Sequence, residues 1–264
     1  MIALVSAKGS PGVTSSALAF TLTWPGRCLL AECDPAGGDI LAGYLRGELD
    51  SQRGLAPLAV AELRGRMREE FARQLVDLDP PHRHRLVLPG VHDPAQSATV
   101  APVWPAIADF LAQLSDTGQV IVDCGRVTTP HFGWPLLHAA DRVLLVVRGT
   151  LPSASHAVPI VPLLRKELAE HGNRDPGRLG LLVIDTGPYS PEELSARLQV
   201  EIAAVLPADP RTARALSFGG PVHLRSPLAR AAASVHSTLA VTRERRTGDA
   251  HPVQSRPEEV AGAA

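Results

Sequence analysis

The chain has 264 residues, 45% of them hydrophobic, which is enough to bury one large core and sits near the upper end for a single α/β domain. Aromatic residues make up only 4%, so the core must be built from Ala, Val, Leu and Ile, and base-stacking platforms for single-stranded nucleic acid are not expected. A formal net charge of −1 removes any global attraction to nucleic acid or to an anionic membrane.

Ile2 to Val5 is an apolar run suited to a strand. It leads into Ala7-Lys8-Gly9-Ser10-Pro11-Gly12-Val13-Thr14, and Ser15 to Leu22 continues as a helix. Strand, glycine-rich loop and helix in this order turn backbone N–H groups and a helix N-terminus into a phosphate cradle. With a strand beginning at residue 2 there is no room for a signal peptide, and no apolar run approaches the ~20 residues of a membrane span. A soluble, cytoplasmic protein without an integral membrane segment is therefore expected.

After the turn Trp24-Pro25-Gly26, a buried strand is predicted over Arg27 to Ala31, ending at Glu32-Cys33-Asp34-Pro35. A short helix over Ile40 to Arg46 and a longer one over Ala56 to Leu75 follow. Leu86 to Pro89 reads as a strand and Val100 to Leu114 as a helix. Gln119 to Gly125 is a strand that carries Asp123 near its end, and Arg142 to Val147 is a continuous apolar strand covered on both faces. The spacing predicts a helix over 152–171, a strand over Leu179 to Ile184 ending at Asp185, and a helix opened by the capping pattern Ser190-Pro191-Glu192-Glu193. A last strand, Ile202 to Leu206, exits through Pro207-Ala208-Asp209-Pro210 into helices near 211–218 and 227–243. From about Arg246 the composition predicts a disordered tail, 246–264, behind a single domain over 1–245.

Strands alternating with helices imply right-handed crossovers. The expected fold is a three-layer α/β arrangement, a mostly parallel sheet with helices on both faces. Cys28, Cys33 and Cys124 are odd in number, lack C-x-x-C spacing and fall on or beside these strands, as reduced thiols do.

Acidic residues at the ends of three strands, Glu32/Asp34, Asp123 and Asp185, carry the chemistry. If the first, second and fifth strands are neighbours, Asp34 and Asp123 converge above Gly12 and Thr14. Mg²⁺ takes few protein oxygens and completes its shell with water and phosphate. The Thr14 hydroxyl and Asp123, with Asp34 beside them, are therefore the expected metal set. Lys8 is one of only two lysines in the chain, the other being Lys166, and a compact ammonium suits a point contact with phosphate oxygens.

The loop fits the general phosphate-loop pattern G-x-x-x-x-G-K-[ST] only at Gly12 and Thr14, because Ala7 and Val13 replace its first glycine and its lysine. It resembles instead the deviant loop of the ParA/MinD family of P-loop ATPases, here as Lys8-Gly9-Ser10-Pro11-Gly12-Val13-Thr14, with Glu32-Cys33-Asp34 and Val120 to Asp123 as the family's second and Walker B motifs. The resemblance implies a dimerising switch that binds ATP or ADP with Mg²⁺ and positions or partitions a cargo. Lys8, Gly9, Ser10, Gly12, Val13, Thr14 and Ser15 would hold the phosphates. Asp34 would orient the attacking water, Asp123 would support Mg²⁺, and Lys8 would reach the nucleotide of the partner in a homodimer. Asp185, Pro207 and Asp209 would frame the adenine. Gly38-Asp39 and Leu86 to Gly90 resemble the CpaE/TadZ branch, which places pilus-secretion machinery.

Two other readings stay open. Val13 removes a charge-assisted contact and Pro11 removes a backbone donor, so the chain could be an ATP-binding scaffold with negligible hydrolysis. Seven arginines between Pro207 and Arg246 stand against Asp209 and Glu244, a formal +5 that suits either a nonspecific DNA patch or solvated helix faces. An activating protein partner is a further expectation. His82, His84 and His92 have no Cys or carboxylate at ligand spacing and read as surface residues.

Overall fold

The computed structural model describes residues 1–9, 11–48, 53–171 and 176–240. Eight strands form one sheet in the order β3-β4-β2-β5-β1-β6-β7-β8. They are β1 (Ile2–Ser6), β2 (Cys28–Glu32), β3 (Val76–Asp77), β4 (Arg85–Leu88), β5 (Gln119–Arg126), β6 (Arg142–Arg148), β7 (Leu179–Asp185) and β8 (Ile202–Pro207). All pairs are parallel except β3 with β4. The expected sheet is therefore present, with a two-residue antiparallel edge strand that the sequence pattern does not show.

The helices are α1 (Val13–Thr23), α2 (Leu55–Glu62), α3 (Met67–Gln74), α4 (Ser97–Val100), α5 (Trp104–Leu114), α6 (Trp134–Ala139), α7 (Leu151–His171), α8 (Pro191–Leu198), α9 (Pro210–Phe218), α10 (Pro227–Ser234) and α11 (His236–Ala240). The helix expected over 56–75 is split. Gly65 takes a left-handed φ of 66°, and the Arg66 N–H donates back to the Ala61 carbonyl, which ends α2 in a tight turn before α3. Ile40–Tyr44 is a π-helical turn. The helix expected over 227–243 is divided into α10 and α11, and its last residues, with the 246–264 tail, lie outside the described residues.

Alternation along the central strands builds the three layers. Ala3, Val5, Ala31, Val122, Leu145 and Val183 join one apolar core with α2, α5, α6, α7 and α8. Ile2, Leu4, Leu30, Ile121, Leu144 and Leu182 point the other way into a second core with α1, α9 and α10. A strand period of two thus feeds two helix layers from the same sheet. Because β1 lies between β5 and β6, and β2 lies on the far side of β5, the loop after β1 emerges beside the ends of β2 and β5. That edge, where the strand order reverses around β1, is where open parallel sheets bind ligands.

Candidate nucleotide site

Gly12 caps α1 with a left-handed φ of 111°, a conformation that a side-chain-bearing residue rarely adopts. Its carbonyl accepts from the Ser16 N–H at 2.9 Å. In the first turn of the helix, the Thr14 hydroxyl donates to Asp123 Oδ2 at 2.6 Å, and the Gly125 N–H donates to the other carboxylate oxygen at 3.0 Å. The register pairs Leu4 with Asp123 and Glu32 with Asp123, which sets the carboxylate between the loop and the end of β2. Asp34 lies across from it, accepting from the Ala36 N–H at 2.8 Å, and packs so closely on Gly125 that a Cβ there would overlap its carboxylate.

Glu32, the first acid of the Glu32-Cys33-Asp34 run, has a different job. It is buried and accepts from the N–H groups of Asp39, Ile40 and Gly90 at 2.6, 3.0 and 2.9 Å, so it ties the loops after β2 and β4 together. Burial pushes its carboxyl up to about 7, with neighbouring Asp123 adding to the rise and the three N–H donors opposing it. Asp123 is pushed up to about 6, again chiefly by burial, with Thr14 lowering it and Asp34 raising it. Asp34 is raised by burial and lowered by the Ala36 N–H and by Arg126.

Asp34 and the loop border a cavity of about 750 Å³ lined by Gly9, Pro11, Gly12, Val13, Thr14 and Ser15 on the loop side, with Asp123 buried behind Thr14. Asp34, Asp39 and Gly125 line it from the strand ends, and Leu216, Ser217 and Phe218 of α9 close the opposite wall. The donor set of one hydroxyl and the Asp34 and Asp123 carboxylates is all hard oxygen, and the carboxylates burden one another, so the residues fit a Mg²⁺ ion. The glycine loop and helix N-terminus beside them fit a phosphate chain.

Lys8 points away from this cavity, into a neighbouring one of about 220 Å³ that shares Gly9, Pro11 and Arg148 with it. Its ammonium sits 3.3 Å from His156 Nε2 on α7. Val13 is buried in the core beneath the loop. Ser10 lies outside the described residues.

The three expected adenine-side residues do not line the cavity. Asp209 is the N-cap of α9, accepting from the Thr212 N–H at 3.0 Å, the Thr212 hydroxyl at 2.7 Å and the Leu228 N–H at 3.4 Å. Those bonds hold its carboxyl below the usual range against the opposing effect of burial. Asp185 is exposed at the end of β7, paired in register with Pro207 on β8.

Sequence reasoning missed two cations. Arg126, at the end of β5, and Arg148, at the end of β6, both line the large cavity, and Arg148 Nε donates to the Pro11 carbonyl at 3.2 Å. Neither sits in a recognisable motif, and arginine is abundant in the chain; their one signal was a charged residue closing an apolar strand.

No family model matches the chain, and no curated protein matches it. Solved structures do. The septum site-determining protein MinD from Pyrococcus horikoshii OT3, in complex with Mg-ADP, superposes with a TM-score of 0.66 at 19% identity, over 96% of this chain and 100% of that one. A ParA family ATPase from Chlorobium tepidum TLS gives 0.67 at 17% identity, over 88% and 96% of the two chains. The ATP complex of a single-substitution variant of McdA from Cyanothece gives 0.59 at 16%, over 96% and 99%. The chain has the fold of the MinD and ParA-family ATPases.

Proposed function

We propose that this protein is a nucleotide-dependent switch that positions or partitions a cellular cargo. The observation that carries this is the Thr14–Asp123 hydrogen bond beneath a glycine-capped helix N-terminus, with Asp34 facing it across one cavity. Gly9, Ser10, Gly12 and Ser15 would hold phosphates; Thr14, Asp123 and Asp34 would hold Mg²⁺, which neutralises phosphoryl charge when bound. Arg148 and Arg126 would supply the cationic contacts that Val13 cannot, because its side chain is committed to the core. Asp34 would accept and orient a water at the phosphate end. Lys8, directed out of its own site, would contact the nucleotide of a second copy in a homodimer.

The fold shared with a septum site-determining protein and with ParA-family ATPases supports a positioning role. Gly38 and Gly90 both pack on Glu32, where a Cβ on either would be crowded, which gives the segments that resemble the CpaE/TadZ branch a common structural purpose. The resemblance of those segments, and not their packing, is what supports pilus-secretion machinery as the cargo, beside chromosome or plasmid segregation. Phe218, 66% exposed, lines the cavity and would present an apolar surface to an activating partner that senses the nucleotide.

The test is the mass of the protein in solution by light scattering with Mg-ATP and with Mg-ADP, beside phosphate release. A dimer formed with ATP and lost with ADP, with slow phosphate release, supports the switch. A mass indifferent to nucleotide contradicts it. ATP binding with no phosphate release supports the scaffold reading, for which Val13 and Pro11 are the specific observations. A second reading rests on Arg211, Arg214, Arg225 and Arg230, all exposed on or beside α9 and α10. Salt-dependent retention on nonspecific duplex DNA, lost when these four are replaced by Gln, would favour DNA partitioning. The three remaining arginines of that stretch lie outside the described residues.

A further inference from the structure

At the opposite edge of the sheet, where α6 ends before β6 and α7 ends before β7, two histidines and a glutamate meet. Among the described residues this is the one place where three metal-ligating side chains bring ligand atoms within 4.8 Å of one another. Glu167 and His171 lie one turn apart on α7, on the same helix face, and His138 comes from the last turn of α6. We propose that His138 Nε2, Glu167 Oε2 and His171 Nδ1 form a binding site for a borderline divalent cation, zinc above all.

The alternative is a plain cluster in which each imidazole N–H donates to the carboxylate, and zinc uptake separates the two. His138 Nε2 and His171 Nδ1 stand 3.3 and 3.5 Å from the same oxygen, Glu167 Oε2. Charge-assisted N–H···O bonds close to about 2.7–2.9 Å, and ordinary ones to about 3.2 Å. Donors sharing a tetrahedral zinc, with metal–ligand bonds of about 2.0–2.2 Å, sit about 3.3–3.5 Å apart. Both pairs lie at the long end of hydrogen-bond reach and at the separation of two donors on one tetrahedral ion, so the cluster takes the ion without rearrangement of its donors.

Two further features hold the donors in place. The imidazole rings stack with centroids 5.0 Å apart and planes 21° apart, so both present a nitrogen to the one carboxylate. The buried Arg178 guanidinium donates to the carbonyls of Leu137, His138 and Ala140, pinning the end of α6 and with it the His138 backbone. His171 is 55% exposed, which leaves the fourth coordination position open to water. Two histidines and one glutamate with an open position is an established zinc donor set. The ion would clip α6 to α7 on the far edge from the nucleotide cavity, so the site stands independently of the function proposed above. His138 lies 29 residues before Glu167, a separation that no ligand-spacing motif covers.

The experiment is titration of the full chain, stripped of metal and free of nucleotide, with Zn²⁺ against a colorimetric chelator. One equivalent is expected, bound about tenfold or more weakly in His171→Ala and in Glu167→Gln. Zinc should also raise the melting temperature of the native protein and not that of His171→Ala. His171 sits half-exposed at a helix end, so its removal tests the site without threatening the core. The stacked pair His82 and His84 serves as control: the double Ala variant there, and Asp123→Ala in the nucleotide cavity, are expected to keep the zinc equivalent. Failure of the native chain to take up zinc, or equal affinity in native and His171→Ala, would overturn the proposal.

Discussion

The guanidinium of Arg148 reaches from the end of β6 to the loop after β1 and donates from Nε to the Pro11 carbonyl, 3.2 Å away. This places a fixed positive charge at the loop that lacks a lysine at Val13. Arg148 lines both cavities, which also share Gly9 and Pro11. Arginine offers a fork of donors in a rigid plane, which suits two phosphate oxygens at once.

Arg148→Ala is therefore expected to weaken ATP binding about tenfold or more, the range of one charge-assisted contact. Arg148→Lys should recover part of that loss. Calorimetric titration measures it, with circular dichroism confirming the fold. Unchanged affinity in Arg148→Ala would leave the loop without its substitute cation.

Thr14→Val removes the hydroxyl that donates to Asp123 while keeping the side-chain shape. ATP affinity should fall in the presence of Mg²⁺ and stay the same in its absence, because the hydroxyl is assigned to the ion rather than to the phosphates. Titrations with and without Mg²⁺ separate the two effects.

Gly125→Ala strains a backbone with φ of 63° and drives a methyl group into the Asp34 carboxylate. The overpacking is expected to cost about 1–3 kcal/mol of stability. Any phosphate release should fall further than ATP affinity does, since Asp34 is assigned both to Mg²⁺ and to the water, and losing the water's orientation acts on turnover alone. Urea denaturation measures the first effect and steady-state turnover the second.

His236 packs against Trp24 at 4.4 Å between ring centroids and meets the Thr23 hydroxyl at 3.2 Å. Burial, with a smaller contribution from Arg85, pushes its imidazole down to about 4. The unfolded chain therefore takes up the proton first, and the folded state loses stability as pH falls from about 6.5 to about 4. Stability recovers as pH rises through that window. Glu32 and Asp123, raised by burial, act with the opposite sign in an overlapping range, so the comparison is between native protein and His236→Phe. The native melting temperature should fall more than that of the variant between pH about 7 and about 4.

Much of this was legible in the residues. Apolar runs of strand length separated by helical spacing gave the sheet, and the loop from Lys8 to Thr14 pointed to the edge that carries the candidate site. Asp123 could be chosen because three strands end in acids beside one glycine loop, and its own strand resembles the Walker B motif; singly, each acid reads as well as a turn cap. The antiparallel β3 is two residues long and has no periodicity to detect. The break between α2 and α3 rested on one glycine, Gly65, inside an otherwise helical pattern. Glu32 and Asp34 end the same strand, and the resemblance gave a role to Asp34 alone; packing shows what Glu32 does instead, accepting from backbone N–H groups while Asp34 lines the cavity. Asp209 did carry a readable signal, since Asp before Pro210 with Thr212 following is a helix N-terminus pattern. Arg126 and Arg148 are brought to the loop by strand order, which no local spacing encodes.

The most direct measurement is calorimetric titration of the native chain with ATP, with and without Mg²⁺, beside Asp123→Ala. Saturable ATP binding that tightens with Mg²⁺ and loses that tightening in Asp123→Ala is the expected result. Heat signals indistinguishable from dilution at saturating ATP would contradict the account, because the loop, Asp34 and the two arginines would then line a cavity, with Asp123 behind Thr14, without holding a nucleotide.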